Sequence, residues 1–259
     1  FCRGAEALRS RRARVFTAMI PQLLICAVAG KHIRAFVARE NATANFKPLP
    51  AERLQAHLAH LRANEDAGGG LWAYINESNN VVTNYNQKLG GSTADSPREV
   101  EAALRLLASR QRSEWKTICE VGMNAGSSAV IWLHETRASL VEFDLFERTY
   151  SLGTQGFLNA LFPNRTTYRA GWSTATLEAY ARSVHAKEVP PCDLWYLDGC
   201  HEPFSCVHSD FRNALAAAAF DGWLFVDDWS ARYWPIRSEW ASHVAAGLVL
   251  PGENHSYTG

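Results

Sequence analysis

The sequence lacks a net charge. Its 259 residues include 26 basic and 26 acidic residues, and the formal net charge is zero. Proteins that bind nucleic acid or acidic polymers through their overall field carry an excess of positive charge. This chain offers no such electrostatic basis, so we expect a small molecule as its partner and no nucleic acid.

The six cysteines lack the paired Cys-x-x-Cys spacing of many zinc and redox motifs. The pattern therefore predicts no zinc site. Cys119 falls inside an apolar run, where we expect it to behave as a small hydrophobic residue. A disulfide through Cys200 or Cys206 stays open as an alternative.

The sequence also lacks an apolar run of the ~20 residues that a transmembrane helix needs. The run at residues 15–30 is shorter and contains Pro21, but it follows a cluster of arginines between residues 9 and 14. This order predicts a signal peptide or signal anchor over residues 1–36. The chain would then lie in a secretory lumen or attach to a membrane through residues 15–30; a buried amphipathic helix in a cytoplasmic protein is the alternative.

Four Asn-x-Ser/Thr motifs would accept glycans if the chain enters a secretory lumen. They begin at Asn41, Asn76, Asn164 and Asn254. We therefore expect a glycoprotein if the signal is used.

Residues 37–112 predict a helical extension with a lid-like loop. Leucines at helical spacing indicate a helix over residues 50–64, and three glycines at 68–70 end it. Residues 71–95 are rich in Asn, Gly, Ser and Tyr, which favours a loop or lid. The segment Ser96-Pro97-Arg98-Glu99 then has the capping residues of a helix start.

Residues 113–259 alternate short apolar runs with amphipathic stretches, which predicts a Rossmann-like α/β fold with a doubly wound, mostly parallel sheet. Strands are predicted at 116–121, 139–144, 166–170, 193–198 and 223–227. Helices are predicted at 127–135, 149–161, 174–187, 204–219 and 235–246. In such sheets ligands bind beyond the carboxyl ends of the strands, so the residues that end each run are the candidate site.

A glycine-rich turn follows the first predicted strand. Glu120-x-Gly122-x-x-x-Gly126 leads directly into a helix, whose N-terminus a ligand can approach over the glycine backbone. The turn lacks the three-glycine spacing of dinucleotide folds, which disfavours a nicotinamide dehydrogenase. A tight strand-helix connection without a ligand is the alternative.

Acidic residues end the other strands. Asp144 ends the second strand, where a carboxylate can accept hydrogen bonds from both ribose hydroxyls of a nucleoside. Glu142 shares its face and is a second candidate, and a helix cap or a solvated acid is the alternative for Asp144.

Asp198 ends the fourth strand, and Asp227 and Asp228 end the fifth. Three carboxylates on one rim repel each other unless a hard cation such as Mg²⁺ relieves them. Capping, turn formation or a pair with Arg232 is the alternative.

These motifs together resemble class I S-adenosylmethionine-dependent methyltransferases, in the small-molecule O-methyltransferase branch with an Asp-Gly-x-His segment. The resemblance covers about residues 113–230. It rests on four segments: ICEVGMNAGSSAVIWL at 118–133, Asp144, DLWYLDGCH at 193–201 and LFVDDW at 224–229.

The resemblance implies an S-adenosylmethionine site. The methionine and ribose side of the cofactor would be lined by Glu120, Gly122 and Gly126, together with Met123, Asn124 and Ser127. Asp144 would bind the ribose hydroxyls. Ser173 would lie near the adenine, and Asp198 would border the cofactor. Similarity to the catechol-type enzymes implies that Asp198, Asp227 and Asp228 hold Mg²⁺. It also implies that His201, with Asp198 as the second catalytic residue, takes the proton from the hydroxyl that is methylated. The alternative for His201 is a histidine at a helix start that is hydrogen-bonded to the backbone.

The implied acceptor is a small-molecule hydroxyl. Trp229, Tyr233 and Trp234 could form a stacking wall for an aromatic or sugar acceptor, or could be ordinary packing aromatics. The sequence predicts no oligomeric state.

Two departures keep alternatives open. Trp172 stands where the family often has an acidic residue, which implies adenine recognition by stacking or from elsewhere. The chain ends at Gly259 before the family's last strand, so we expect that strand to be truncated, as in a fragment. A methyltransferase-like binding domain without turnover and a hydroxylase-type relative are the rival functions.

Overall fold

The computed structural model describes residues 48–85, 87, 89, 97–109, 114–229 and 232–251. The predicted signal or anchor over residues 1–36, its apolar run and the sequons at Asn41 and Asn254 lie outside these ranges, and so does any strand beyond residue 251. Asn76 and Asn164 are exposed. Within the described ranges, no helix has both the length and the apolar character needed to cross a bilayer.

Five strands form one parallel sheet, which confirms the predicted fold class. The strand order is β3-β2-β1-β4-β5, with β1 in the middle and buried along its whole length. A strand that is covered on both faces is buried along its length, and β1 falls within the strand predicted at 116–121. The strands are β1 (Thr117–Val121), β2 (Ser139–Asp144), β3 (Thr166–Ala170), β4 (Cys192–Leu197) and β5 (Ala218–Val226).

Helices follow the strands at the predicted places. The described residues contain α1 (Ala51–Asp66), α2 (Gly70–Thr83), α3 (Pro97–Ser109), α4 (Ser127–Glu135), α5 (Ser151–Leu161), α6 (Ser173–His185), α7 (Phe204–Ala217) and α8 (Trp234–Ala245). The helix predicted at 204–219 is two residues shorter in the structure, because the alanines after residue 217 belong to β5. Alanine favours helices, but strand pairing with Cys192 overrides that preference.

The two faces of the sheet have separate cores. Alternate strand residues such as Ile118 and Leu194 pack against α2, α3 and α4. Their neighbours, such as Val121 and Trp195, pack against α6, α7 and α8. This alternation follows from the two-residue period of a strand, and it decides which strand-end side chains can reach a ligand.

The predicted loop over residues 71–95 is wrong for its first half, because Gly70–Thr83 forms helix α2. Its polar composition hid a helical face on which Ile75, Ser78 and Val82 are buried. Helix α2 contacts α1, α4 and α5, so tertiary packing outweighs the weak helix propensity of its asparagines. The spacing of Leu71, Ile75 and Val82 is the signal that could have revealed it.

The prediction for Cys119 is also corrected. Cys119 forms a disulfide with Cys192 across the sheet, and neither residue is exposed to solvent. Their separation of 73 residues gives no local sequence signal. The open alternative at the other cysteines is confirmed, since Cys200 and Cys206 form a second disulfide.

Candidate functional site

A cavity of about 630 Å³ lies beyond the carboxyl ends of the strands. We call it the strand-end cavity. Its volume falls within the ~300–1,000 Å³ range of small-molecule sites. The predicted cofactor residues that line it are Gly122, Met123, Asn124, Ser127, Asp144, Ser173 and Asp198, and the other predicted catalytic and metal residues that line it are His201, Asp227 and Asp228. The fold therefore brings most of the predicted cofactor residues and the predicted catalytic and metal residues to one cavity.

The glycine-rich turn forms one wall. Gly122 has φ +102°, and its backbone N–H donates to the Phe143 carbonyl at 2.9 Å. Gly126 has φ +76° and directly precedes α4. These positive φ values favour glycine. They allow the backbone of residues 122–125 to face the cavity without intervening side chains.

Asp144 ties the turn to the second strand. One carboxylate oxygen accepts the Asn124 backbone N–H at 3.2 Å, and the other accepts the Phe146 N–H at 2.6 Å. Burial raises the pKa of Asp144 despite these bonds. Each carboxylate oxygen has two lone pairs, so both can still accept a hydroxyl from a ligand in the cavity.

Two predicted cofactor residues do not line the cavity. The Gly126 backbone lies under α5, where an added Cβ would stand 3.0 Å from Thr154. Glu120 is fully buried, and it accepts a hydrogen bond from the Ser128 hydroxyl. Its side chain points to the α4 face of the sheet, because that is the face its strand position dictates. The prediction that Glu120 contacts the cofactor is therefore corrected.

Glu142, the second ribose candidate, is buried beside Glu120. The two residues are direct partners across β1 and β2. Neither carboxyl oxygen of Glu142 has a hydrogen-bond partner among the described residues. Burial, reinforced by the Glu120 carboxylate, raises the pKa of Glu142 well above its ordinary 4.5. Glu142 is fully buried and does not line the cavity, whereas Asp144 does, so Asp144 stays the predicted ribose ligand.

The Glu142 pKa predicts an unusual pH dependence of stability. Between the ordinary and the raised pKa, the unfolded chain releases a proton that the folded chain keeps. The free energy of unfolding therefore falls as pH rises, by up to about 1.4 kcal/mol per pH unit for each such group. Glu142→Gln has no proton to release, so we expect a flatter slope and higher stability at pH 7.

Urea unfolding between pH 5 and pH 8 measures this slope. Glu52→Gln is the matched control, because Glu52 is exposed in the first turn of α1. Equal slopes for the Glu142→Gln and parent proteins would contradict a proton held on Glu142.

The acidic rim contains an imidazole. Ligand atoms of Asp198, His201 and Asp228 all lie within 4.8 Å of one another. His201 Nε2 contacts Asp228 Oδ2 and lies 3.7 Å from Asp198 Oδ1. Asp227 is turned away, since Tyr196 donates to one of its oxygens at 2.6 Å and the Asp228 N–H to the other at 2.7 Å. The structure thus groups His201, rather than Asp227, with the other two acids.

The charges of this group differ from the sequence-based expectation. The adjacent carboxylates of Asp198 and Asp228 raise the pKa of His201 to about 10. Burial, together with the neighbouring carboxylates of Asp227 and Asp228, raises the pKa of Asp198 to about 7, although the His201 bond opposes the shift. Without a bound cation, His201 is therefore protonated at neutral pH and does not have the ordinary pKa that a proton acceptor needs.

Aromatic side chains near the rim have different roles. Tyr233 lines the cavity, and its ring centroid lies 4.9 Å from that of His201. Trp229 packs edge-on against Trp240 at 5.9 Å, and Trp234 stacks on Phe204 at 5.7 Å. Only Tyr233 of the three predicted wall residues therefore lines the cavity.

Trp172 and Arg232 bear on two further expectations. Trp172 lines the cavity beside Ser173 and is 47% exposed, so an adenine could stack on it. The Arg232 guanidinium lies over the Tyr233 ring at 5.3 Å, which favours a ring contact over the alternative pair with Asp227 or Asp228.

Helix α2 supplies site contacts that sequence reasoning missed. The Ser127 hydroxyl donates to Asn79 Oδ1 at 2.7 Å, and the Ser78 hydroxyl donates to the Ala125 carbonyl. The Tyr150 hydroxyl supports the other side of the turn by donating to Asn124 Oδ1 at 2.5 Å. Helix α2 of the N-terminal extension therefore holds the glycine-rich turn in place through hydrogen bonds.

Three solved structures are similar to this chain. An O-methyltransferase from Streptomyces achromogenes in complex with SAM is 14% identical, with 66% of this chain and 77% of that chain covered and a TM-score of 0.49. An O-methyltransferase from Bacillus cereus in complex with SAH is 15% identical, with 81% of this chain and 86% of that chain covered and a TM-score of 0.48. An SAH-bound methyltransferase from Podospora anserina is 16% identical, with 87% of this chain and 90% of that chain covered and a TM-score of 0.43.

Among curated proteins, no significant match to this chain was found. The family comparison is more specific, because residues 119–229 match the family described as methyltransferase domain. That segment holds the glycine-rich turn, Asp144 and the Asp198, His201 and Asp228 group. The segment from the first strand to the acidic rim, less than half of the chain, thus matches a methyltransferase domain.

Proposed function

We propose that this chain is an S-adenosylmethionine-dependent methyltransferase that transfers a methyl group to a hydroxyl of a small molecule with help from a divalent cation. The observation that carries the proposal is the strand-end cavity, where a glycine-rich turn with its ribose carboxylate faces an acid-imidazole group. The match of residues 119–229 to a methyltransferase domain supports the transfer chemistry.

The cofactor half of the site consists of the turn, Asp144 and Trp172 with Ser173. S-adenosylmethionine would supply an electrophilic methyl group on a sulfonium sulfur. Asp144 would accept the ribose hydroxyls, and the turn backbone would border the ribose and methionine. Trp172 would stack on the adenine, which offsets the acid that the family often has at this position. These residues bind and orient, and no covalent intermediate with the protein is needed.

The acceptor half consists of Asp198, His201 and Asp228. Two carboxylates and an imidazole within 4.8 Å fit a divalent cation. The imidazole makes the set softer than an all-oxygen set, so Mn²⁺ or Zn²⁺ fits it at least as well as Mg²⁺. A cation there would favour the deprotonated form of an acceptor hydroxyl. Asp227 remains a proposed ligand, although both of its oxygens already accept hydrogen bonds.

The proton of the acceptor has a defined destination in this arrangement. His201 binds a divalent cation as the neutral imidazole, so cation binding would release the His201 proton to solvent and leave His201, Asp198 and Asp228 as ligands. The acceptor hydroxyl would then have a lowered pKa beside the cation, and its proton would pass to solvent. The acceptor oxygen then attacks the methyl carbon in line with the sulfur, and Tyr233 beside His201 would contact an aromatic or sugar acceptor.

Methyl transfer is tested by incubating the protein with S-adenosylmethionine and a panel of phenolic and sugar hydroxyl acceptors, with Mg²⁺ or Mn²⁺. We expect cation-dependent formation of S-adenosylhomocysteine, measured by mass spectrometry. Asp228→Asn should lower the rate by about 100-fold or more, because it removes a charged group beside the reacting oxygen. Asp221→Asn, at an exposed position of β5, is the control.

The rival functions give different results in the same experiment. A binding domain without turnover would bind S-adenosylhomocysteine but form no product with any acceptor. A hydroxylase-type relative would consume no S-adenosylmethionine. Folded protein that fails to bind S-adenosylhomocysteine at all would overturn the proposal.

A further inference from the structure

The short disulfide loop at the cavity rim differs from the disulfide inside the sheet. Cys200 and Cys206 both line the strand-end cavity. Cys119 and Cys192 have no exposed surface. Thiol-disulfide exchange requires an attacking thiolate to reach a sulfur atom. A dithiol reductant can therefore reach the loop disulfide from the cavity, whereas the sheet disulfide is shielded.

Asp210 stands behind the loop. It follows Cys206 by one turn of α7, which places both residues on one face of the helix. Asp210 is only 4% exposed, and its Oδ1 has no hydrogen-bond partner among the described residues. The ligand atoms of Cys200, Cys206 and Asp210 lie within 4.8 Å of one another. One carboxylate oxygen of this buried residue thus lies within 4.8 Å of both sulfur atoms.

A small cavity adjoins this cluster. It measures about 10 Å³ and is lined by Cys200 and Asp210, by the polar side chains of Asp198 and His201, and by apolar residues such as Val207. Such a volume holds about one water molecule or one ion. A buried carboxylate oxygen without a hydrogen-bond partner is costly, and a bound cation offsets that cost. The cavity therefore has the volume for a single ion beside Cys200 and Asp210.

We propose that Cys200, Cys206 and Asp210 form a zinc site when the loop disulfide is reduced. A dithiol reductant transfers two electrons and two protons to the disulfide, which yields two thiols and leaves the reductant as a cyclic disulfide. Zn²⁺ then displaces both thiol protons to solvent and binds two thiolates and the Asp210 carboxylate. Two sulfurs and one oxygen suit zinc rather than magnesium, and the fourth position stays open.

The fold explains why the sequence predicted no zinc site. Cys200 and Cys206 are six residues apart, which is outside the paired spacing of zinc motifs. The third ligand comes from the next turn of α7. Folding, rather than local spacing, brings the three together, and the cluster does not depend on the proposed methyl transfer.

Cadmium titration tests the site, because Cd²⁺ replaces Zn²⁺ and its bond to a thiolate absorbs in the ultraviolet. The full chain, with Cys2→Ser and Cys26→Ser so that these two thiols cannot bind Cd²⁺, is reduced with a dithiol, freed of reductant without oxygen and titrated with Cd²⁺ alone. We expect a thiolate-cadmium band that saturates at one equivalent, and no band in the oxidised protein. The Asp198, His201 and Asp228 group contains no sulfur, so it cannot produce this band.

Variants separate the site from the other cysteines. Cys206→Ser should abolish the band, whereas Cys119→Ala with Cys192→Ala should keep it. Asp210→Asn retains both thiols and should weaken cadmium binding at least about tenfold, since even outer-sphere changes cost ~10–100-fold. This variant also serves if Cys206→Ser fails to fold. Reduced, folded protein without a band, or a band that survives in Cys206→Ser, would overturn the proposal.

Discussion

Gly122→Ala is expected to destabilise the protein by about 4 kcal/mol, the sum of backbone strain and a steric clash. Gly122 has φ +102°, which residues with a Cβ rarely adopt. An added Cβ would lie 2.2 Å from the Asp198 carbonyl oxygen and 2.8 Å from its carbon. These are backbone atoms of the residue that directly follows β4, so they cannot rotate out of the way as a side chain could.

The surroundings of Gly122 are fixed on both sides. Its own N–H is bonded to the Phe143 carbonyl at 2.9 Å, and the Asp198 N–H is bonded to the Val121 carbonyl at 3.0 Å. Relief of the clash would require β1 to separate from β2 or β4. Because the same backbone faces the cavity, any relaxation that the variant achieves should also weaken the binding of S-adenosylhomocysteine.

Urea unfolding at constant pH measures the destabilisation. Gly156→Ala is the matched control, because Gly156 lies within α5 and an added Cβ there meets no atom within 4 Å. Alanine in a helix is more stable than glycine by roughly 0.5–1 kcal/mol, so the control should gain stability. A loss below about 1 kcal/mol for Gly122→Ala would contradict the described close approach of β1 and β4.

The sheet could be predicted from the sequence because short, largely apolar runs such as that of β4 alternate with amphipathic helical stretches. The runs at 139–144 and 166–170 match β2 and β3 residue for residue. Topology then follows from general rules, since parallel strands joined by helices bring their carboxyl ends to one edge. The order of the strands and helices alone therefore predicts the location of the candidate site.

Side-chain direction was harder to predict than position. Glu120 and Asp144 both stand at or near a strand end, but Glu120 points into the core and Asp144 reaches the cavity. Likewise Asp227 bonds to Tyr196, and Asp228, with φ +56°, turns toward His201. A left-handed residue after a strand breaks the two-residue alternation, and nothing in the dipeptide Asp-Asp signals which residue does so.

Two sets of contacts across the fold could not be predicted from the sequence. The disulfide between Cys119 and Cys192 depends on β1 and β4 being neighbours. The support that Ser78 and Asn79 give to the turn depends on α2 packing against α4. These pairs are 47 or more residues apart, so a single sequence contains no local pattern that joins them.

Under the proposed function, Asp144→Ala should weaken the binding of S-adenosylhomocysteine by about 100-fold or more. A hydrogen bond to a charged group contributes ~1.5–3 kcal/mol, and a ribose offers two hydroxyls to this carboxylate. The variant also removes the bonds from the Asn124 and Phe146 N–H groups, which hold the turn in place. The loss should therefore exceed that of a single ribose contact.

Calorimetric titration with S-adenosylhomocysteine checks this, with Asp221→Ala at an exposed position as the control. The pH dependence gives a second readout. Burial raises the pKa of Asp144 above its ordinary 3.8, and the charged form accepts the ribose hydroxyls. Affinity should thus fall as pH drops through the raised pKa in the parent protein, and this fall should be absent in Asp144→Ala. An affinity within threefold of the parent in a variant that melts normally would remove Asp144 from the cofactor site, because a folded turn without its carboxylate would then suffice.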